Sequence, residues 1–485
     1  MSVSSRAAYG GLLLILVAQA LLHLFVLTIS SHSGQLAIPM MMNEGRLLFG
    51  SVLEQHAPAA SLISAAAQRL LPLDPLVIAK GLHLALISAT TVLVFALAQR
   101  LAQAPLAGLL AAAAYAWWLP VYGNILFYFD TLLAFLLFSA VWLLLGSPGT
   151  ARLLLAGLLA GMATLAKQHA WGAVAVLLLW VLWQRRARGL AFAVGVAAGP
   201  LALVAVVAAQ GNLANYLYWN WAFNFSGLMD SLLPTGDFVR KVALSNLFVP
   251  AFGLLALHPA RRQQWLPVLL VGLAAMATML PRFGIIHVTA HLPFSALAAG
   301  VVLHHLLAGV QPLRWQRISQ LSAPSAGLAG VLLAAGAAWA WTGAAPYFPT
   351  DYPRGTTPAY DEFAPVAQAL AGQAQPDDTL FVLPETDSTP NLHAITRLLP
   401  PGTWVKGWHW YFEAPGIRDQ LLAEWQAAPP DFIVVFPDLL EVGQPGIAPL
   451  VAFAEARYTL AERIPAIIGH GDALIYRLNS LTEGG

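Results

Sequence analysis

The feature that most constrains this chain is a series of apolar runs. Those near 8–28, 76–98, 190–209, 265–281, 284–307 and 325–345 are long enough to cross a hydrocarbon core of ~30 Å as helices. Shorter runs near 105–121, 129–146, 152–166, 169–184 and 242–257 bring the set to about eleven crossings. Backbone in lipid must satisfy its own hydrogen bonds, and apolar runs of this length do so as helices. The expected fold is a polytopic α-helical membrane protein. Composition agrees, with 58% of the 485 residues hydrophobic and 10% charged. The first run follows Arg6 as a signal peptide would, but it is too long and no small-residue cleavage site follows it, so it reads as a retained helix.

Charge divides the chain in two. Residues 1–345 carry 17 Lys and Arg against 6 Asp and Glu, a net of +11, whereas residues 346–485 carry 7 against 17, a net of −10. The expected organisation is a transmembrane domain over 1–345 and a small water-facing domain over 346–485, with no nucleic-acid partner for either. With the N-terminus in the cytoplasm, Arg6, Arg100, Arg152, Arg185, Arg186, Arg188, Arg261, Arg262, Arg314 and Arg317 fall in inner segments that hold no acid. The stretch 152–184 is either one long helix or a hairpin turning at Leu165–His169. Arg152 and the Arg185, Arg186, Arg188 cluster both belong inside, which favours the hairpin. An odd number of crossings then makes residues 346–485 extracytoplasmic, periplasmic at a bacterial inner membrane.

After a Pro-rich linker (346–358), that region alternates strand-like stretches (Leu380–Leu383, Phe432–Phe436, Leu474–Leu478) with helix-like ones (360–372, 417–427, 447–456), the pattern of a small α/β domain. It contains no G-x-G-x-x-G, Walker A or H-E-x-x-H sequence. Cysteine is absent, which excludes thiol chemistry and disulfides. The outer loops, about 29–75 with an amphipathic helix at 58–71, and 210–241, are longer than the inner ones. Any chemistry therefore belongs at the outer membrane surface.

An ionisable side chain inside an apolar helix costs about 2.5–3.5 kcal/mol, so each one needs a reason. Asp130 opens a crossing and is either an N-cap or a carboxylate facing a cavity. Glu54, just before Pro58, and Glu44 are either solvated loop acids or members of a site formed if the first loop folds over the helix ends. Lys167 at the hairpin tip and Arg282 both fall at the outer boundary, where a phosphate clamp is favoured over snorkelling. His287 and His291, four apart, would share a helical face and suit a metal pair. Nothing else indicates a metal, and no cofactor is indicated.

These pieces occur in an order that resembles the GT-C glycosyltransferases. The matching stretches are a G-x-x-x-F/Y segment leading to H-x-P (Gly45–Pro58), Asp130 opening the fourth crossing, an A-G-x-x-x-G-x-x-x-L-x-K-Q hairpin (Ala156–Gln168) and a Pro-Arg-to-Leu-Pro segment (Pro281–Pro293). More narrowly, the chain is similar to bacterial relatives of the protein O-mannosyltransferases and of the aminoarabinose-to-lipid A transferase. The resemblance implies transfer of a sugar from a polyprenyl-phosphate carrier to an acceptor lipid, glycan or protein outside the membrane. It implies that Asp130 is the family's second-loop acid, and that Lys167 and Arg282 lie where the carrier phosphate is held. His287, His56 and Gln168, in the same stretches, join them as candidate substrate-binding residues. One departure stands out. The family's acid soon after the first crossing is missing, and the stretch reads Ser30-Ser31-His32-Ser33-Gly34. Asp130 together with Glu54, with Glu44 in reserve, then serves as catalytic base, or activity has been lost.

The chemistry itself fits the residues present. Displacing a lipid phosphate from an anomeric carbon needs cations to stabilise the departing anion and one carboxylate to take the acceptor's proton. A catalytically silent scaffold and a membrane transporter are the rival readings. A transporter would carry ionisable groups near mid-membrane.

Overall fold

The computed structural model describes residues 4–122, 125–228, 235–280, 283–307, 357–384, 389–406, 409–440, 446–467 and 471–479. Along the chain, α1 (Ser5–Leu21) runs into a π-helical turn (Leu22–Val26) and is followed by α2 (Ala37–Asn43), strand β1 (Val52–Leu53) and α3 (Ala59–Leu70). Next come α4 (Pro75–Ala102), α5 (Pro105–Tyr122), α6 (Phe129–Leu144), α7 (Thr150–Ala166), α8 (Trp171–Arg185) and α9 (Gly189–Ala209). Helices α10 (Leu213–Leu217), α11 (Gly236–Ser245), α12 (Val249–Ala256), α13 (Arg262–Met276) and α14 (Leu292–Leu307) follow among the described residues. Helix occupies every apolar run predicted from sequence except 325–345, which lies outside the described residues. Five helical stretches among the described residues are long and apolar enough to cross a membrane, with α6, α7 and α14 as shorter apolar helices. The chain is a multi-pass membrane protein.

Two local outcomes bear on the site. The stretch 152–184 is broken, because the chain leaves α7 at Lys167 with extended backbone (φ −154°, ψ 130°). The single helix expected over 284–307 is corrected to a 3-10 segment, Ile285–Ala290, ahead of α14. Pro293 accounts for the break, since proline is tolerated only in a helix's first turn and disfavours helical backbone just before itself.

Backbone contacts divide the chain into two compact units, one of Met1–Ile29, Gly81–Leu203 and Ser231–Thr356, the other of Ser30–Lys80, Val204–Asp230 and Thr357–Gly485. In the first, helices meet through small residues. A β-carbon added at Gly157 or Gly161 of α7 would strike the backbone oxygen of Phe192 or Val196 on α9. The A-G-x-x-x-G spacing is therefore a close helix contact, and it fixes the end of α7 from which Lys167 projects. A buried hydrogen bond from Thr91 Oγ1 to Gln19 Oε1 (2.9 Å) ties α4 to α1.

Among the described residues, the second unit contains two sheets. In the larger, β2 (Leu380–Leu383) pairs parallel with β4 (Phe432–Val435), which pairs antiparallel with β6 (Gly471–Leu478), itself antiparallel to the edge strand β5 (Tyr458–Ile467). Strand alternation sends Phe381, Leu383, Ile433 and Val435 to one face, against Leu421, Trp425 and Leu450. Leu380, Val382, Phe432 and Val434 take the other face, against Phe363, Val366 and Leu370. With helices on both faces these strands read as continuous apolar runs. Truncating such a core residue, as in Phe381→Ala, costs about 3–5 kcal/mol. The smaller sheet pairs β1 in parallel with β3 (Trp404–Val405), in the register Val52 to Trp404 and Leu53 to Val405.

Candidate active site

In the first unit, three side chains distant in sequence converge. Asp130 stands in the first turn of α6, where a negative charge suits the helix dipole, and it is fully buried. Its Oδ1 accepts a hydrogen bond from Lys167 Nζ at 2.7 Å, and its Oδ2 lies 2.9 Å from His287 Nδ1. Lys167 Nζ is also 2.9 Å from that same ring nitrogen. A single ring nitrogen either donates to the carboxylate or accepts from the ammonium, so the imidazole adjusts to whichever charge state its two neighbours hold. A buried carboxylate is tolerated only when paired and hydrogen-bonded, and this one is. Lys167 and His287 keep 12% and 18% of their side-chain surface exposed against 1% for Asp130. The cluster thus shows its cationic and imidazole groups outward and its carboxylate inward.

The second unit holds another buried carboxylate. Glu54 follows Leu53 and Lys406 follows Val405, so the parallel register of β1 and β3 carries the two charges side by side. Lys406 Nζ lies 3.5 Å from Glu54 Oε2, with both residues 2% exposed. The His56 backbone N–H donates to Glu54 Oε1 at 2.9 Å, and the His56 ring Nδ1 contacts the same oxygen. Asn220 and Asn224 donate to the carbonyls of Glu54 and Gln55, and Arg46 to those of Pro400 and Gly402 just ahead of β3. Burial alone would raise the Glu54 pKa. The charges of Lys406 and His56 and the hydrogen bonds from His56 outweigh it, and hold the carboxyl below the usual carboxylate range. Among the described residues Oε2 accepts no hydrogen bond. It faces the Ser30–Gly34 stretch, since a β-carbon on Gly34 would sit 3.3 Å from it. The ring of His32, from that stretch, meets the His56 ring edge-on, with centroids 5.6 Å apart.

The remaining sequence candidates separate. Glu44 is exposed at the C-terminal end of α2. Gln168 begins the 3-10 turn after Lys167 and is half-buried. Arg282 lies outside the described residues. His287 stands in the 3-10 segment and His291 just past its end, so the two do not share the α-helical face expected of a metal pair. His291 instead accepts from Asn246 Nδ2 at 3.0 Å. Among the described residues, no group of three or more His, Cys, Asp and Glu is placed to hold a metal ion. Sequence reasoning missed Lys406 and His32. Lys406 is the sole lysine of residues 346–485 and sits between Trp404-Val405 and Gly407-Trp408, a buried-strand context in which a lysine needs a partner.

The chain has the fold of the GT-C superfamily of membrane glycosyltransferases. Among similar structures, that of ArnT, an aminoarabinose transferase, from Cupriavidus metallidurans bound to undecaprenyl phosphate has a TM-score of 0.62 and 14% identity, covering 99% of this chain and 100% of that one. The archaeal oligosaccharyltransferase AglB from Archaeoglobus fulgidus, in complex with an inhibitory peptide and a dolichol-phosphate, has a TM-score of 0.50 and 14% identity, over 99% of this chain and 75% of that one. The arabinofuranosyltransferase AftD from Mycobacteria has a TM-score of 0.53 and 15% identity, over 100% of this chain and 42% of that one. No protein-family model matches the chain, and no curated protein matches it by sequence. At these identities the shared property is the fold.

Proposed function

We propose that this chain is a glycosyltransferase of the bacterial inner membrane that moves a sugar from a polyprenyl-phosphate carrier to an extracytoplasmic lipid, glycan or protein acceptor, with inversion. The carrier class is supported by the fold shared with ArnT bound to undecaprenyl phosphate and AglB in complex with a dolichol-phosphate. The observation that carries the reading is that Glu54 Oε2, buried beside Lys406, accepts no hydrogen bond among the described residues and faces Ser30–Gly34. The resemblance calls for an acid soon after the first crossing, and Glu54 brings a carboxylate to that stretch from further along the loop.

Glu54 takes the proton from the acceptor hydroxyl as that oxygen attacks the anomeric carbon. The bond from that carbon to the carrier phosphate breaks, and the phosphate leaves as an anion. Lys406 and His56 keep Glu54 ionised and oriented. Lys167, His287 and Arg282 hold the phosphate, Gln168 is a further candidate contact for it, and Asp130 positions Lys167 and His287 through the bonds already described. Exposed Glu44 stands in reserve.

The pairing of β1 with β3 requires residues 52–53 and 404–405 to lie on one side of the membrane. A cytoplasmic N-terminus makes that side extracytoplasmic, which supports an odd number of crossings, about eleven, and an extracytoplasmic position for the α/β domain proposed over 346–485, the membrane part being proposed over 1–345.

The test is incubation of the purified chain with a panel of polyprenyl-phosphate-linked and nucleotide-linked sugars plus envelope acceptors. Release of free polyprenyl phosphate from a lipid-linked donor alone is expected. No carrier turnover with any donor overturns the reading in favour of a silent scaffold.

A further inference from the structure

The turn that presents Asp130 is held in an unfavourable backbone conformation. We infer that His83 is the residue that sets this turn, acting as a positioning residue for the cluster of Asp130, Lys167 and His287. The inference rests on the reading of that cluster as part of the transferase site.

Phe127, three residues before Asp130, has φ +43°, in the left-handed region that costs a residue with a β-carbon about 1–2 kcal/mol. Such a conformation persists only where its surroundings over-determine it. Leu126, Phe127 and Tyr128 are all buried, so the Phe127 N–H cannot turn to water. Its partner is His83 Nδ1 on α4, at 3.2 Å. That bond dictates the state of the ring, because an Nδ1 that accepts leaves the proton on Nε2. His83 Nε2 lies 3.2 Å from His23 Nδ1 and donates to it. His23 belongs to the π-helical turn after α1, and both histidines are buried. The hydrogen bonds therefore run in one direction, from the Phe127 N–H to His83 and from His83 to His23.

The same turn borders the cluster at two points. Tyr128 stacks on the His287 ring, with centroids 6.5 Å apart and 22° between planes, and Asp130 follows in the first turn of α6. Tyr128 supplies no side-chain cap to that helix, so α6 begins where the turn places it. Without the acceptor on His83, Phe127 is left with a buried unpaired N–H and a strained φ. The turn then relaxes and carries Asp130 away from Lys167.

The test compares the full chain in lipid nanodiscs as parent, His83→Asn, His83→Leu and His83→Gln. Asparagine sets its oxygen where Nδ1 lies and keeps the acceptor, whereas leucine lacks one and glutamine reaches the Nε2 position. Hydrogen exchange over residues 125–130 is expected to accelerate about 10-fold or more in the Leu and Gln variants and to stay at the parent rate in Asn. With the undecaprenyl-phosphate sugar that the parent turns over, kcat should fall about 10²-fold in Leu and Gln, as for a ~1 Å misplacement, and donor KM should rise because Lys167 and His287 hold the donor phosphate, with Asn largely restoring both. Parent-like exchange in all three variants overturns the inference, as does an equal kcat loss in Asn and Leu, which marks packing alone. A parent without turnover defeats the transferase reading instead, and the exchange data still decide the role of His83.

Discussion

Asp130 and Lys167 are predicted to be strongly coupled, and a double-mutant cycle reads that coupling directly. At 2.7 Å and an effective dielectric constant of about 20, their attraction is about 6 kcal/mol before desolvation is subtracted. Removing one partner of a buried pair typically costs about 3–5 kcal/mol, because the other charge is left uncompensated. The two single variants should differ. Asp130→Asn leaves an ammonium and an imidazole without the carboxylate both contact, and should cost the full amount. Lys167→Met leaves Asp130 facing His287, which can take up a proton and serve as counter-ion, so the loss should be smaller. The double variant buries neither charge and should cost less than the sum of the singles, with a coupling of about 2–3 kcal/mol. The assay is denaturant unfolding of the full chain in detergent micelles, with all four proteins at one pH and salt concentration. Additivity to within about 0.5 kcal/mol would refute the pairing.

Other outcomes follow from the same geometry. Lys167→Ala and Arg282→Ala should each weaken binding of undecaprenyl phosphate far more than they lower thermal stability, and unchanged affinity in both would leave these side chains without a carrier role. Glu54 has a folded-state pKa below its unfolded value, so its ionisation contributes stability above about pH 4.3 that is lost as pH falls toward the folded value. Parent and Glu54→Gln should therefore converge in stability as the solution is acidified, and a gap that widens would contradict the pairing with Lys406. An alkaline phosphatase fused after Gly485 should be active, and cytoplasmic reporter activity there would reverse the orientation.

The helical part was legible because apolar runs of crossing length leave the backbone few options. The first candidate cluster was partly legible for a related reason, since Asp130, Lys167 and His287 are polar residues in otherwise apolar surroundings. Their convergence depends on how α6, α7 and the 3-10 segment at 285–290 pack, which no local pattern encodes. Glu54 could be named but not placed. Its partner Lys406 arrives through β1 and β3, strands of two residues each and 352 positions apart, too short to carry an alternation signal. Strand β5 escaped notice because it is a mostly exposed edge strand containing charges and Pro465, features that keep edges from pairing and also hide them from a search for apolar strands.

The most direct test of the account is the single-turnover rate of sugar transfer from a bound polyprenyl-phosphate donor, compared between the parent and Glu54→Gln. Loss of a general base lowers the rate by about 10²–10⁴-fold, and donor affinity, which depends on Lys167 and Arg282, should be unchanged. Glu54→Gln binding donor normally while transferring at the parent rate would contradict the assignment of Glu54 as the base.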